Sequence, residues 1–186
     1  LFYPFVNIFA NEGELNPWQF YFEHQLNHDS FPYHALMLYI HYPFAVLSDL
    51  FNIHSIFKLP LLFADILIFY VLLKLLPNNY RKIILFYFLN PIIIYATYIK
   101  FQLDIIPTSL LFLCIYLLVK KRWIFSCVLF GCALATKFHV IIALPLIFFY
   151  LFKNDGVIVA LKYMVLGVMI CFLIDFPFIF SDGFIQ

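Results

Sequence analysis

Apolar residues along this chain come in long unbroken runs, and the polar residues gather between the runs. The clear runs lie at about 59–76, 83–99, 103–119, 123–138, 139–152 and 157–180. A helix needs about 20 consecutive apolar residues to cross the hydrocarbon of a bilayer, with a range near 17–25. The pattern therefore predicts six membrane-spanning helices. The fifth run is short and its neighbour 103–119 is lean, so a thinned bilayer or a broken helix is expected there. Tight turns are expected at Pro77-Asn78-Asn79 and Asn154-Asp155-Gly156, where the residue types suit chain reversal.

The first third of the chain is patterned differently. Residues 1–31 carry Asn11-Glu12-Gly13-Glu14, Asn16-Pro17-Trp18, Glu23-His24 and Asn27-His28-Asp29-Ser30. That stretch is too polar to cross a bilayer and too aromatic for a free linker. It is expected to lie on the membrane surface, with Trp18, Tyr21 and Phe22 at headgroup level. Residues 32–51 are apolar but contain His34, His41, Pro43 and Asp49. They suit either a span or a helix in the interface, and the His and Pro content favours the interface. The organisation expected is a first outer loop with an interfacial helix over 1–58, a helix bundle over 59–180, and the start of another outer loop over 181–186. The chain opens on Leu1 with no signal-peptide pattern and stops in a loop-like stretch, so it is read as an internal fragment of a longer protein.

Composition strengthens the membrane reading. Hydrophobic residues make up 66% of the chain, charged ones 11%, and the mean hydropathy is +1.00; a soluble domain has about 45–50% apolar and about 25% charged residues. The fold class expected is all-α, a polytopic transmembrane helical bundle in the cell membrane or the endoplasmic reticulum membrane. A net charge of +1 with no dense basic patch excludes nucleic acid as a partner. Cys114, Cys127, Cys132 and Cys171 all fall inside apolar runs and are read as small buried hydrophobes. Neither they nor the scattered histidines His24, His28 and His34 form a convincing ligand pattern, so no metal and no cofactor are assigned.

Basic residues set the orientation. Lys74, Arg81, Lys82, Lys120, Lys121, Arg122, Lys153 and Lys162 belong to three alternate loops, whereas Lys58, Lys100 and Lys137 are spread over the other side. The positive-inside rule makes the three basic loops cytoplasmic. Lys58, Lys100–Asp104, Lys137–His139 and Ser181–Gln186 then share the outer or lumenal face.

Charged residues near hydrocarbon carry the candidate chemistry. An acid or base at the centre of a membrane helix costs about 2.5–3.5 kcal/mol on insertion scales, so such groups persist where they pair, face a wet cavity or bind a ligand. Three polar groups converge on the outer face: the loop with Glu12, Glu14, His24, His28 and Asp29; the turn with Lys100, Gln102 and Asp104; and Lys137 with His139. Carboxylates act as bases or hold a divalent cation, and lysine and histidine neutralise phosphate. The set suits an anionic, phosphate-bearing lipid headgroup. Lys100 also suits plain snorkelling, and Asp104 suits a cap at the positive end of the helix that runs through Pro107. Asp65 lies mid-run with no base nearby and is expected to be neutral or paired with another helix, as structural glue. Asp175 is expected near the cleft or at an interfacial stop.

Lys58-Leu59-Pro60, Ala64-Asp65-Ile66-Leu67, Asn90-Pro91, Lys100-Phe101-Gln102-Leu103-Asp104 and Gly131…Ala135-Thr136-Lys137-Phe138, in that order, resemble the GT-C membrane glycosyltransferases. The chain looks most like the glucosyltransferases that extend dolichol-linked oligosaccharides and the related mannosyltransferases. Those carry a His-Phe-Gln-Tyr-Asn or Gly-Gln-Phe-Asp type turn where this chain has Lys100 to Asp104, and a lysine near the end of a later helix, matched by Lys137. Phe31-Pro32-Tyr33-His34-Ala35-Leu36 is a loose version of the Tyr-Pro-Pro-Leu stretch that opens their interfacial helix. The resemblance covers roughly residues 1–153. It implies transfer of a hexose from a polyprenyl-phosphate-linked donor to a glycan or lipid-linked acceptor at the outer or lumenal face, without a nucleotide sugar. It further implies Lys100, Gln102, Lys137 and His139 as substrate-binding residues and Asp104 as a catalytic residue that also orients hydroxyls; Asp29, with Glu12 and Glu14 as alternatives, is read as a substitute for the family's essential acid. The family's essential acid follows its first transmembrane helix, a position expected to lie before Leu1.

Two other functions fit the same pattern. A transporter or flippase for a lipid-linked or small anionic solute would use the same cleft, with Asp65 as a proton site, but no internal repeat supports it. A non-catalytic membrane subunit is the third.

Overall fold

A computed structural model describes residues 2–27 and 31–185, and every regular element among them is helical. The chain runs α1 (Tyr3–Asn11), α2 (Pro17–Glu23), α3 (Ala35–Leu50), α4 (Leu59–Leu75), α5 (Tyr80–Ile83), α6 (Pro91–Ile94), α7 (Ile105–Val119), α8 (Trp123–Leu134), α9 (Leu144–Asp155), α10 (Val157–Asp175) and α11 (Asp182–Ile185), with short tight or wide helical turns between several of them. Proline in the first turn opens α1, α2, α4, α6 and α9, where its missing N–H would have had no partner anyway. Gly156, at φ +90°, ends α9 and starts α10. A left-handed turn at that point suits glycine alone among common residues.

Three continuous helical stretches are long and apolar enough to cross a membrane: His54–Leu75, Phe138–Asp155 and Val157–Asp175. A fourth arises if Pro77–Phe88 and Pro91–Ile99 count as one span bent by 48°. The run read as 83–99 is therefore not one straight helix. Pro91 cannot donate to the preceding turn, and its ring disfavours helix at Asn90. Asn90 is extended, and its side chain accepts from the Ile92 N–H at 2.9 Å. Each half then widens into a π turn, at Ile84–Phe88 and Tyr95–Ile99. The 103–119 and 123–138 runs yield helices of 15 and 12 residues, about 22 and 18 Å long against a hydrocarbon core of about 30 Å. The short 139–152 run is extended at both ends, by a tight turn from Phe138 and by the last residues of α9.

Two apolar cores hold the helices together. One gathers Val6, Met37, Leu38, Leu61 and Leu103 from α1, α3, α4 and the turn before α7; the other gathers Cys114, Phe130, Leu134, Leu151 and Tyr163 from α7 to α10. Between α8 and α10 the backbones meet at Gly131, where a Cβ would sit 2.7 Å from the Gly167 carbonyl oxygen.

The described part of residues 1–31 is packed rather than loose. Trp18 and Tyr21, expected at headgroup level, are 7% and 8% exposed. Phe5 stacks on Phe31 with ring centroids 4.6 Å apart, and Trp18 meets Phe178 and Phe184 at 4.8 and 4.9 Å. The stretch read as the start of a further loop forms α11 and lies on α2. A Cβ at Gly183 would come within 2.3 Å of the Trp18 carbonyl oxygen, so only glycine fits that approach.

Candidate functional site

Connectivity brings the ends of many elements to one end of the bundle. The segment leaving α8 lies against the start of α3: the His34 N–H donates to the Thr136 carbonyl at 3.0 Å and the Leu36 N–H to the Ala135 carbonyl at 2.9 Å. These bonds fix Lys137, which is extended (φ −158°) between α8 and the following tight turn. Its ammonium donates to Asp104 Oδ1 at 2.6 Å and lies 5.0 Å from the centroid of the Tyr33 ring. The pair is open to its surroundings, with the Lys137 side chain 28% exposed and that of Asp104 44%. Asp104 stands at the N-cap position of α7 but makes no side-chain cap bond. The capping role considered for it is thus displaced by the ion pair. Tyr33 is buried, and burial, followed by the negative charge of Asp104, pushes its phenol well above the usual tyrosine range. It is a neutral hydroxyl and an aromatic face at physiological pH.

Gln102 and Asp104 line a cavity of about 260 Å³ with Tyr87, Ala96, Thr97 and Thr108, walled otherwise by Ile68, Ile92, Ile93 and Ile105. Its lining thus mixes isoleucines with the polar groups of Tyr87, Thr97, Gln102, Asp104 and Thr108. His139 is exposed and lines a neighbouring cavity with Leu111, Ile142 and Leu146; Thr108 borders both cavities. Lys100 is exposed and lies over the Tyr95 ring at 5.7 Å, bordering neither cavity. Asp29 and His28 lie outside the described residues. Of the residues singled out in the sequence, Asp104, Lys137 and Gln102 come together, His139 stands one cavity away, and Lys100 turns aside. Among the described residues, no group of three or more His, Cys, Asp or Glu side chains is placed to hold a metal ion.

Three groups that the sequence did not pair belong to this end. Tyr33 is one. The others are His34 and Asp175, 141 residues apart, with His34 Nδ1 2.8 Å from Asp175 Oδ2. The Ala35 N–H donates to Asp175 Oδ1 at 3.1 Å. Asp175 thus serves the first turn of α3 from the far end of α10, where an anion near a helix start is favoured. It ties the amino-terminal helices to the bundle.

Asp65 is 5% exposed in α4 and accepts from two tyrosine hydroxyls, Tyr87 and Tyr98, each at 2.6 Å. The two tyrosines come from opposite halves of the bent span, so one carboxylate staples both halves to α4. The expected partner on another helix is present, and it is a pair of phenols rather than a base. Compared with family models, curated proteins and solved structures, the chain finds no match.

Proposed function

We propose that this chain is part of a membrane glycosyltransferase that moves a hexose from a polyprenyl-phosphate-linked donor to an acceptor hydroxyl at the outer or lumenal face. On this reading the bundle crosses the membrane six times, with the bent pair, α7 and α8 completing the set begun by the three long spans. The observation that carries the reading is the half-open Lys137–Asp104 pair beside a cavity lined both by isoleucines and by Gln102, Asp104 and Thr108. A prenyl chain with a phosphate head calls for both kinds of lining. In the reaction, a carboxylate takes the proton of the acceptor hydroxyl as its oxygen bonds to the anomeric carbon, and the bond from that carbon to the phosphate oxygen breaks. On this reading Asp104 takes that proton, with Asp29 a second candidate. Lys137 stabilises the departing phosphate by charge. Gln102 orients sugar hydroxyls, while His139 and Lys100 are at most outer contacts.

The test is Lys137→Met in the full-length protein, reconstituted with polyprenyl-phosphate-linked glucose or mannose. Loss of transfer with normal expression is expected; unchanged turnover refutes the assignment. A transport reading draws on a different observation, the bent span joined to buried Asp65, because discontinuous helices are common at transporter sites. It predicts flux of lipid-linked or small anionic solute across vesicles, abolished by Asp65→Asn and insensitive to Lys137→Met.

A further inference from the structure

Beside the Lys100–Asp104 turn lies a third cavity, of about 380 Å³, lined by Tyr3, His54, Phe57, Lys58 and Phe101. Its walls are mostly rings. Tyr3 stands edge-on to His54 at 5.7 Å and to Phe57 at 5.2 Å, and Phe57 meets Phe101 at 5.9 Å. The Lys58 ammonium lies 5.6 Å from the Phe101 centroid. Behind the rings, the Tyr3 hydroxyl and the Asn11 amide both donate to the Asp49 carboxylate. Phe101 takes φ +56°, a left-handed backbone that a bulky aromatic adopts only where its surroundings enforce it. That conformation lets one turn serve two cavities, with Phe101 facing this one while Gln102 and Asp104 face the other.

We infer that the Tyr3–His54–Phe57–Lys58–Phe101 cavity binds a pyranose ring, the hydroxyl-bearing sugar that accepts the transferred hexose. The inference rests on the transferase reading for the word acceptor; the saccharide site itself rests on the cavity. One face of a pyranose carries several axial C–H groups, weakly positive, which complement the negative face of an aromatic ring. Its rim of hydroxyls takes hydrogen bonds from an ammonium and an imidazole. Other occupants fit less well. A quaternary ammonium would meet the Lys58 charge in the same wall, and a free phosphate would leave three rings without a use. The volume is at the small end of ligand cavities, about 300–1,000 Å³, which suits a single ring.

The experiment is saturation-transfer NMR on the full-length protein in nanodiscs, with methyl α-D-glucopyranoside, methyl α-D-mannopyranoside and methyl β-D-galactopyranoside as probes. At least one should bind, with its ring C–H protons most strongly saturated. Phe101→Leu and His54→Ala should each weaken that binding, Phe101→Leu by about tenfold from loss of the ring face, with unfolding midpoints unchanged for His54→Ala. Lys137→Met should leave it intact. Failure of all three glycosides to bind, binding unaffected by both variants, or displacement by inorganic phosphate overturns the site. A protein that binds a glycoside here yet transfers no sugar overturns the transferase reading and leaves the site. A protein that transfers sugar with the same acceptor KM in Phe101→Leu and wild type overturns the site and leaves the transferase.

Discussion

Removing the phenols around Asp65 should show that a buried carboxylate, and not the tyrosines themselves, sets the cost. Asp65 is 5% exposed and each of its oxygens holds one hydroxyl at 2.6 Å. A hydrogen bond to a charged group contributes about 1.5–3 kcal/mol net. Tyr98 is 38% exposed whereas Tyr87 is half-buried, so the space left by the Tyr87 hydroxyl is the more enclosed of the two. Tyr87→Phe is therefore placed near the upper end of that range and Tyr98→Phe near the lower. With both hydroxyls gone the carboxylate is buried without partners, a condition that costs about 3–5 kcal/mol. Adding Asp65→Leu to the double variant removes the orphaned group, and replacing every member of a buried polar set by apolar groups is often close to neutral. The assay is SDS-induced unfolding of the protein in mixed micelles, followed by tryptophan fluorescence. Expected is the order wild type, Tyr98→Phe, Tyr87→Phe, double variant in falling stability, with the triple variant regaining most of the loss. A triple variant as unstable as the double one would refute the reasoning, since the loss would then belong to the aromatic packing.

Three further outcomes follow from the geometry. Lys137→Met and Asp104→Asn should each shift the unfolding midpoint by no more than about 1 kcal/mol, the value of a half-exposed pair, while transfer falls by about 10²–10³ in Lys137→Met; a large loss of stability in either would make the pair structural. Gly131→Ala should push α8 from α10 against the Gly167 carbonyl and Ile170, destabilising the bundle by about 1–3 kcal/mol, and an unmoved unfolding midpoint would contradict that contact. Burial pushes the His41 imidazole down to about 4 from 6.5, opposed by its bond to the Met37 carbonyl. The unfolded chain then binds the proton more readily, so this contribution is full above about pH 6.5 and is lost as pH falls toward 4. Unfolding midpoints measured between pH 7 and 4.5 should drop more steeply in wild type than in His41→Leu; parallel slopes would show that His41 is not the group.

The sequence shows where polar groups are expensive but not which side chains answer them. Asp65 stands out within Leu62-Phe63-Ala64-Asp65-Ile66-Leu67 because any carboxylate there must be satisfied. Its partners were hidden, because Tyr87 and Tyr98 sit in aromatic-rich apolar runs where a tyrosine looks like any interfacial ring. His34 and Asp175 each stand out in the sequence, but only the packing of α10 against α3 joins residues so far apart. Lys137 and Asp104 were legible because each interrupts or ends an apolar run. The bend at Asn90-Pro91 was written in a dipeptide that resists helix, yet the unbroken hydropathy on both sides masked it. The packing of Trp18 is illegible for a related reason. Composition marks an aromatic as suited to the membrane interface, while only tertiary structure reveals that Phe178 and Phe184 return to cover it.

The carboxylates inside this apolar body differ in how completely they are closed: Asp65 and Asp175 are buried, whereas the Asp104 side chain is 44% exposed. Asp175 is buried with His34, the Ala35 N–H and the Cys171 thiol around it. Ser126, Cys114 and Tyr163 form a buried triangle with contacts of 3.0–3.2 Å. Asp65 is enclosed by its two phenols. Taking one member from any of these sets strands another in a medium that cannot solvate it, so a ligand that broke them would meet a penalty comparable to its own binding energy. Lys137 and Asp104 are different. They are held on rigid backbone, touch each other, and remain open enough for solvent to receive either one when the other changes partner. On the proposed transferase reading, an incoming phosphate would take Lys137 while Asp104 turns to a hydroxyl, both groups staying partly exposed. A pair that is preformed yet separable in this way is what a site for an anionic leaving group requires, and among the described ion pairs it is the one between a lysine and a carboxylate.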